Sequence, residues 1–157
     1  EVRSEVLDLS RIAQSLARDL RASDPAHSVE LVVPERIEAV GDRSLLIVLM
    51  ENLLGNAWKF TRGRREPRVE VGVTERNGQA VYYVRDNGAG FDMKYAARLF
   101  RPFERLHEPG EFPGTGIGLA TAERVVHRHG GQIWAEGEPG EGATFYFTLA
   151  PGSVTSG

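Results

Sequence analysis

Asn52, Asn56 and Lys59 recur at i, i+4 and i+7. On an α-helix, which turns about 100° per residue, that spacing gathers two amides and an ammonium on one flank. Asparagine carbonyls are hard, neutral ligands suited to a partly hydrated Mg²⁺, and a lysine supplies a point charge for phosphate. The same pattern is common on solvated helix edges, and the stripe alone favours that reading. A second group, Asp86-Asn87-Gly88-Ala89-Gly90, ends an alternating apolar segment with a carboxylate and a pliable loop. A third, Gly114-Thr115-Gly116-Ile117-Gly118-Leu119, opens a helical pattern, whose N-terminal amides and positive dipole end can receive phosphate. Taken singly, a short glycine loop of this kind is more often a turn followed by a helix N-cap. Position 93 is Met93 and lacks the third glycine of a dinucleotide fingerprint, and no Gly-Lys pair exists for a Walker A loop.

Composition narrows the chemistry further. The 157 residues suffice for one domain with a sizeable core. With 19 basic and 22 acidic side chains the net charge is −3, which gives no global attraction to nucleic acid or anionic lipid. The absence of cysteine removes disulfides, thiol nucleophiles and cysteine-ligated metals. Glycine is in excess, and 13 of the 18 lie from Gly88 onward. The longest apolar run, Leu45 to Met50, is far short of the roughly 20 residues that span a bilayer. The charged first residues open no signal peptide, so a cytoplasmic domain over residues 1–150 with a polar tail at 151–157 is expected.

The elements that must position these groups follow from periodicity. Leu9, Ile12, Ala13, Leu16 and Leu20 predict a first helix to about Ala22, capped by Asp8 or Ser10. Val29 to Val33 and Ile37 to Val40 read as two strands of a hairpin around Pro34. Asp42 caps a long helix from Arg43 to about Phe60, whose core face is Leu46, Leu49, Met50, Leu53, Ala57 and Phe60, with Glu51, Gly55 and Trp58 on the far flank or back. Asn77-Gly78 joins two alternating strands, Asp92 starts a short helix, and a polar loop runs from Arg105 to Pro113. A helix from Ile117 to His129 stops at Gly130-Gly131, before a last antiparallel pair, Gln132 to Glu136 and Ala143 to Leu149. The expected class is α+β, a two-layer sandwich of one mixed, mostly antiparallel sheet with helices on one face.

In chain order, Asn52-Leu53-Leu54-Gly55-Asn56-Ala57-Trp58-Lys59-Phe60-Thr61, Asp86-Asn87-Gly88-Ala89-Gly90, Leu99-Phe100-Arg101-Pro102-Phe103, Gly114-Thr115-Gly116-Ile117-Gly118-Leu119 and Gly140-Glu141-Gly142-Ala143-Thr144-Phe145 resemble the N, G1, F, G2 and G3 boxes of sensor histidine kinases. The resemblance covers about Leu7 to Pro151 and implies the ATP-binding (Bergerat) fold of the gyrase, Hsp90, histidine kinase and MutL superfamily; the later segments look most like phytochrome-type or PAS-linked kinases. It implies roles residue by residue. Asp86 would accept the adenine amino proton, with Gly88 and Gly90 letting the backbone approach the base and Phe60 packing beside adenine and ribose. Asn56 would hold Mg²⁺, with Asn52 beside it and Lys59 on a phosphate oxygen. Gly114, Thr115, Gly116, Ile117, Gly118 and Leu119 would cradle the triphosphate, and Thr144 belongs to the nucleotide set through the G3 box. A lid lies between Phe103 and Gly114, rooted by Phe100 and Phe103 unless these are plain core. Arg105, and Arg101 beside it, would stabilise charge on the transferred phosphoryl group.

The ATPase branch of this superfamily carries a general-base glutamate four residues before the Mg²⁺ asparagine; here that position is Asn52. Glu51 projects about 100° away, and an amide takes no proton from water, which favours phosphotransfer over hydrolysis. A sensor kinase's acceptor is a histidine on an upstream dimerisation helix. Of His27, His107, His127 and His129, only His107 precedes an acid, and Pro109-Gly110 breaks a helix there. His127 and His129 read as structural groups closing a helix. The expectation is a monomeric catalytic domain that takes ATP and Mg²⁺, phosphorylates a separate histidine-bearing dimerisation domain and, through it, a response regulator receiver domain. An ATPase or serine-kinase relative, or a nucleotide-binding regulatory module without catalysis, are the alternatives.

Overall fold

The computed structural model of the protein describes residues 3–100 and 118–150. Its strands are β1 (Glu5–Asp8), β2 (Glu30–Val32), β3 (Glu38–Gly41), β4 (Arg68–Arg76), β5 (Gln79–Asp86), β6 (Ile133–Glu138) and β7 (Gly142–Phe147). Its helices are α1 (Leu9–Ser23), α2 (Arg43–Phe60) and α3 (Gly118–Arg128), with a 3₁₀ turn at Met93–Arg98. A five-stranded sheet runs β2-β4-β5-β7-β6, parallel between β2 and β4 and antiparallel elsewhere.

The helix ends follow their sequence signals. Asp8 caps α1 by accepting the Ser10 N–H at 3.0 Å, and Asp42 caps α2 by accepting that of Leu45 at 3.2 Å. Gly130 at φ +75° and Gly131 end α3, with N–H groups returned to His127 and Val126 carbonyls at 2.9 and 3.0 Å. That is the paired reverse bonding of a left-handed helix stop. Asn77 and Gly78 both take positive φ, +53° and +79°, so the β4–β5 turn carries the twist that a two-residue hairpin needs.

The expected hairpin between the segments flanking Pro34 does not form. β2 pairs parallel with β4 through Glu30 and Arg68, and β3 pairs antiparallel with β1 in a separate two-stranded sheet. The cause is the N-terminus of α1, whose unsatisfied groups capture the connecting chain. Leu9 N–H donates to the Ile37 carbonyl, Ile37 N–H donates to the Asp8 carboxylate at 3.0 Å, and the Ser10 hydroxyl donates to the Pro34 carbonyl. Residues 33–37 are thereby drawn away from β2 before β3 begins.

Val69, Val71, Tyr82, Val84, Phe145 and Phe147 put one face of the large sheet into the core under α2. Burying side chains of this size contributes about 1.5–3 kcal/mol each. The opposite face carries Tyr83 over Gly72, its hydroxyl bonded to Glu70, and Trp134 stacked on Tyr146 with the Arg76 guanidinium above both rings. Trp58, expected on the far side of α2, is only 3% exposed. α1 covers that flank, with Arg21 over the indole ring, while Ala122, Val125 and Val126 of α3 are buried in the same core. Closed in on several sides, α2 leaves Glu51 exposed and a half-buried strip through Asn52, Gly55, Asn56 and Lys59.

The far end of α2 is tied to α3 by His129, which is buried. Its Nε2 accepts the Asp42 N–H at 3.0 Å, so Nδ1 must carry the ring proton and donates to the Val125 carbonyl at 2.8 Å. His127, by contrast, is exposed. Replacing His129 by alanine leaves the Asp42 amide unpaired and opens a void against Gly41 and Leu46, an expected loss of about 2–4 kcal/mol in urea unfolding.

Candidate functional site

Asp86 ends β5, in register with Val69 of β4 and Ala143 of β7, and is 5% exposed. Burial pushes its carboxyl up to about 6, against the lowering pull of the Gly88 and Ala143 N–H groups and of Arg64. Its Oδ1 accepts the Gly88 N–H at 2.8 Å. A buried carboxylate at a strand end carries a desolvation cost that packing alone does not call for, which marks Asp86 as a functional candidate.

The loop after Asp86 is held from three directions. Ala89 N–H donates to the Phe60 carbonyl at the end of α2, and the Ala89 carbonyl accepts from Gly140 in the β6–β7 turn at 2.8 Å. Asn87 donates to the Glu66 carbonyl and accepts from the Arg68 N–H, both at 2.9 Å. Arg64 donates through one Nη2 to the carbonyls of both Gly88, at 2.7 Å, and Gly140. The glycines are required by these contacts. A Cβ on Gly88 would strike the Phe60 carbonyl, and Gly90, at φ +70°, would drive one into the Glu138 carbonyl.

The Asn/Lys stripe lies on α2, whose C-terminal residue Phe60 bonds this loop. Asn52 and Asn56 are half-buried, and Asn52 donates to the Val48 carbonyl at 3.0 Å, leaving its own oxygen to accept. The Lys59 ammonium sits 5.4 Å from the centre of the half-buried Phe60 ring. Asp86, Phe60, Lys59, Asn56 and Asn52 thus run from the loop back along the helix. Among the described residues no cluster of three or more His, Asp or Glu side chains could hold a metal. The donor set that remains for a cation is amide oxygen, which suits a Mg²⁺ retaining water and ligand oxygens.

Thr144 does not join this group. The register sets it opposite Arg85, so it faces the other side of the sheet from Asp86, and its hydroxyl accepts from Arg85 Nε at 3.2 Å. Ala143 takes the place beside Asp86. Gly118 opens α3 and Leu119 packs half-buried against the core. Phe100 is buried edge-on against Phe145, at 6.1 Å between ring centres. Arg101, Phe103, Arg105, Gly114, Thr115, Gly116, Ile117 and the 103–114 lid lie outside the described residues. Arg64 had no sequence signal beyond a basic cluster after a helix, since its two partners lie 24 and 76 positions away.

Residues 41–153 match the family described as histidine kinase-, DNA gyrase B- and HSP90-like ATPase. The chain belongs to this family. Its histidine kinase-like ATPase domain is 33% identical over 146 residues to the phytochrome-like protein Cph1 of Synechocystis, covering 93% of the chain and 19% of that protein. It is 43% identical over 107 residues to cyanobacterial phytochrome A of Nostoc, covering 68% and 14%. The chain thus spans under a fifth of the length of these relatives. Among solved structures it is similar to the mycobacterial sensor histidine kinase MprB, with a TM-score of 0.75 at 25% identity over 94% of this chain and 97% of that one. A full-length ShkA in complex with AMPPNP superposes with a TM-score of 0.74 at 25% identity, over 97% of this chain and 33% of that one. The ATPase-domain fold, α+β with a mixed sheet, is therefore the fold of this chain. Among the described residues no helix is long and apolar enough to cross a membrane.

Proposed function

We propose that residues 1–150 form the catalytic domain of a cytoplasmic two-component sensor kinase, which binds ATP with Mg²⁺ and transfers the γ-phosphoryl group to a histidine on a separate dimerisation domain. The observation that carries this reading is the buried Asp86 beneath a loop fastened to the helix that bears Asn52, Asn56 and Lys59. Asp86 accepts the adenine amino proton, and a base with a carbonyl there presents lone pairs to a carboxylate and is rejected. Phe60 packs beside adenine and ribose. Gly88 and Gly90 keep the loop low enough for the base to reach the carboxylate.

Asn56 holds the cation, Asn52 flanks it, and Lys59 meets a phosphate oxygen. Bound Mg²⁺ neutralises charge that develops on the phosphates. Gly114, Thr115, Gly116, Ile117, Gly118 and Leu119 receive the phosphates at the start of α3, and Arg105 and Arg101 stabilise the phosphoryl group in transit. Asn52, with its amide turned to the Val48 carbonyl, offers no base for water, and Glu51 is exposed on another face of α2. A neutral imidazole is itself a nucleophile and needs no such base, which supports transfer to histidine over hydrolysis. Among the described histidines, His27 and His129 are engaged with the fold, and His127, exposed in the last turn of α3, is followed by Arg128 rather than an acid, so the acceptor is assigned to the dimerisation domain, from which a receiver domain takes the phosphoryl group.

The test is incubation with γ-labelled ATP and Mg²⁺, with and without a histidine-bearing dimerisation domain. Acid-labile, base-stable label on that domain is the expected result. Steady phosphate release by the chain alone, with no label on the partner, would replace this reading by an ATPase.

A further inference from the structure

Arg64 reaches two backbone carbonyls that belong to different parts of the chain. One is Gly88, two residues after Asp86; the other is Gly140, at the tip of the β6–β7 turn. The segments are also joined directly by the Gly140 N–H on the Ala89 carbonyl. Both carbonyls are thus reached from a single Nη2, whose two N–H groups and positive charge serve one each. The side chain is half-buried and comes from the connection after α2, so it also fixes this pair of segments to the helix that carries the Asn/Lys stripe. Neighbouring Arg65 is exposed, and nothing among the described residues engages it through a hydrogen bond or ion pair.

We propose that Arg64 is a positioning residue for base recognition: by tying the Gly88 and Gly140 carbonyls together it sets the place and rigidity of the loop against which Asp86 meets the nucleobase. This rests on the nucleotide reading given above. Arg64 touches no base; it acts through Gly88 and the loop that Asp86 bonds through Oδ1. Its positive charge also lies where it favours the ionised form of Asp86.

The experiment is titration of the full chain with ATP and with inosine triphosphate, in which a ring carbonyl replaces the amino group, for wild type, Arg64→Ala, Arg64→Lys and Arg65→Ala. Arg64→Ala is expected to bind ATP about tenfold more weakly, the scale at which hydrogen bonds from a charged donor act. Its preference for ATP over inosine triphosphate should shrink in parallel, because a loosened carboxylate loses discrimination more than general affinity. Arg64→Lys, which keeps the charge and the donors on a stem one bond shorter, should recover part of both, and Arg65→Ala should match wild type. Wild-type affinity and preference in a folded Arg64→Ala overturn the proposal, as does equal weakening toward both nucleotides. If the alanine variant does not fold, the preference ratio of Arg64→Lys decides, and a wild-type ratio sinks the idea. A wild-type chain that binds neither nucleotide removes the nucleotide reading itself, a different failure from a variant that leaves binding intact.

Discussion

Asp86→Asn is expected to bind ATP at least about a hundredfold more weakly while making the ligand-free domain more stable at neutral pH. The two effects have one cause. At 5% exposure the carboxylate keeps its charge against the low dielectric around it, and its carboxyl is pushed up to about 6 from 3.8. Between those values the folded chain holds a proton that the unfolded chain has released. Stability contributed by this group is therefore greatest below about pH 4, falls as pH rises toward 6, and is flat above it, a cost of about 3 kcal/mol at pH 7. Asparagine has the same shape, keeps an oxygen for the Gly88 N–H, and cannot ionise. Urea unfolding should accordingly show a gain on the order of 1–3 kcal/mol for the variant at pH 7 that vanishes below pH 4. Calorimetric titration should show the lost affinity, and wild-type affinity itself should decline as pH drops through 6. Unchanged ATP affinity in the variant would remove Asp86 from the site.

Gly142→Ala is the second large effect, and its origin is the backbone. Gly142 sits at φ +125°, where L residues are strained, and a Cβ there would be driven into the Asp86 carbonyl oxygen. No flexible side chain can move aside to relieve that contact, so the β5–β7 pairing at Asp86 must open. The expected loss is about 3–5 kcal/mol, read as a drop in the urea midpoint, together with loss of nucleotide binding. Gly78→Ala separates conformational strain from collision: its φ is also positive, +79°, but nothing lies within 4 Å of its would-be Cβ. A loss of about 1 kcal/mol is expected there, with ATP binding unaffected. If Gly142→Ala costs no more than Gly78→Ala, close packing around Asp86 is not what fixes this glycine.

These two positions illustrate different degrees of legibility. Asp86 stood out as a lone acid between a strand pattern and a pair of glycines, and its order among the other boxes made the family readable. Gly88 and Gly90 stand where the family resemblance lets the base approach the backbone. The structure adds that their first neighbours are the Phe60 and Glu138 carbonyls, contacts between segments 28 and 48 positions apart that no local pattern encodes. Thr144 shows a related limit. Strand periodicity says that Ala143 and Thr144 face opposite sides; only the pairing of β7 with β5 says which side holds Asp86, and a shift of one residue would reverse the answer.

What the amino-acid order determined was everything whose physics is local. Asp8 and Asp42 set helix starts, Gly130-Gly131 a helix stop, and Asn77-Gly78 a hairpin, because each acts on backbone groups a few residues away. What only the tertiary structure decided was which surfaces meet. The parallel β2–β4 pairing, the burial of Trp58 under Arg21 and the reach of Arg64 to Gly88 and Gly140 all join distant segments. Such contacts form only once the whole core has excluded water, and their partners are then chosen by shape and unsatisfied hydrogen bonds rather than by sequence spacing.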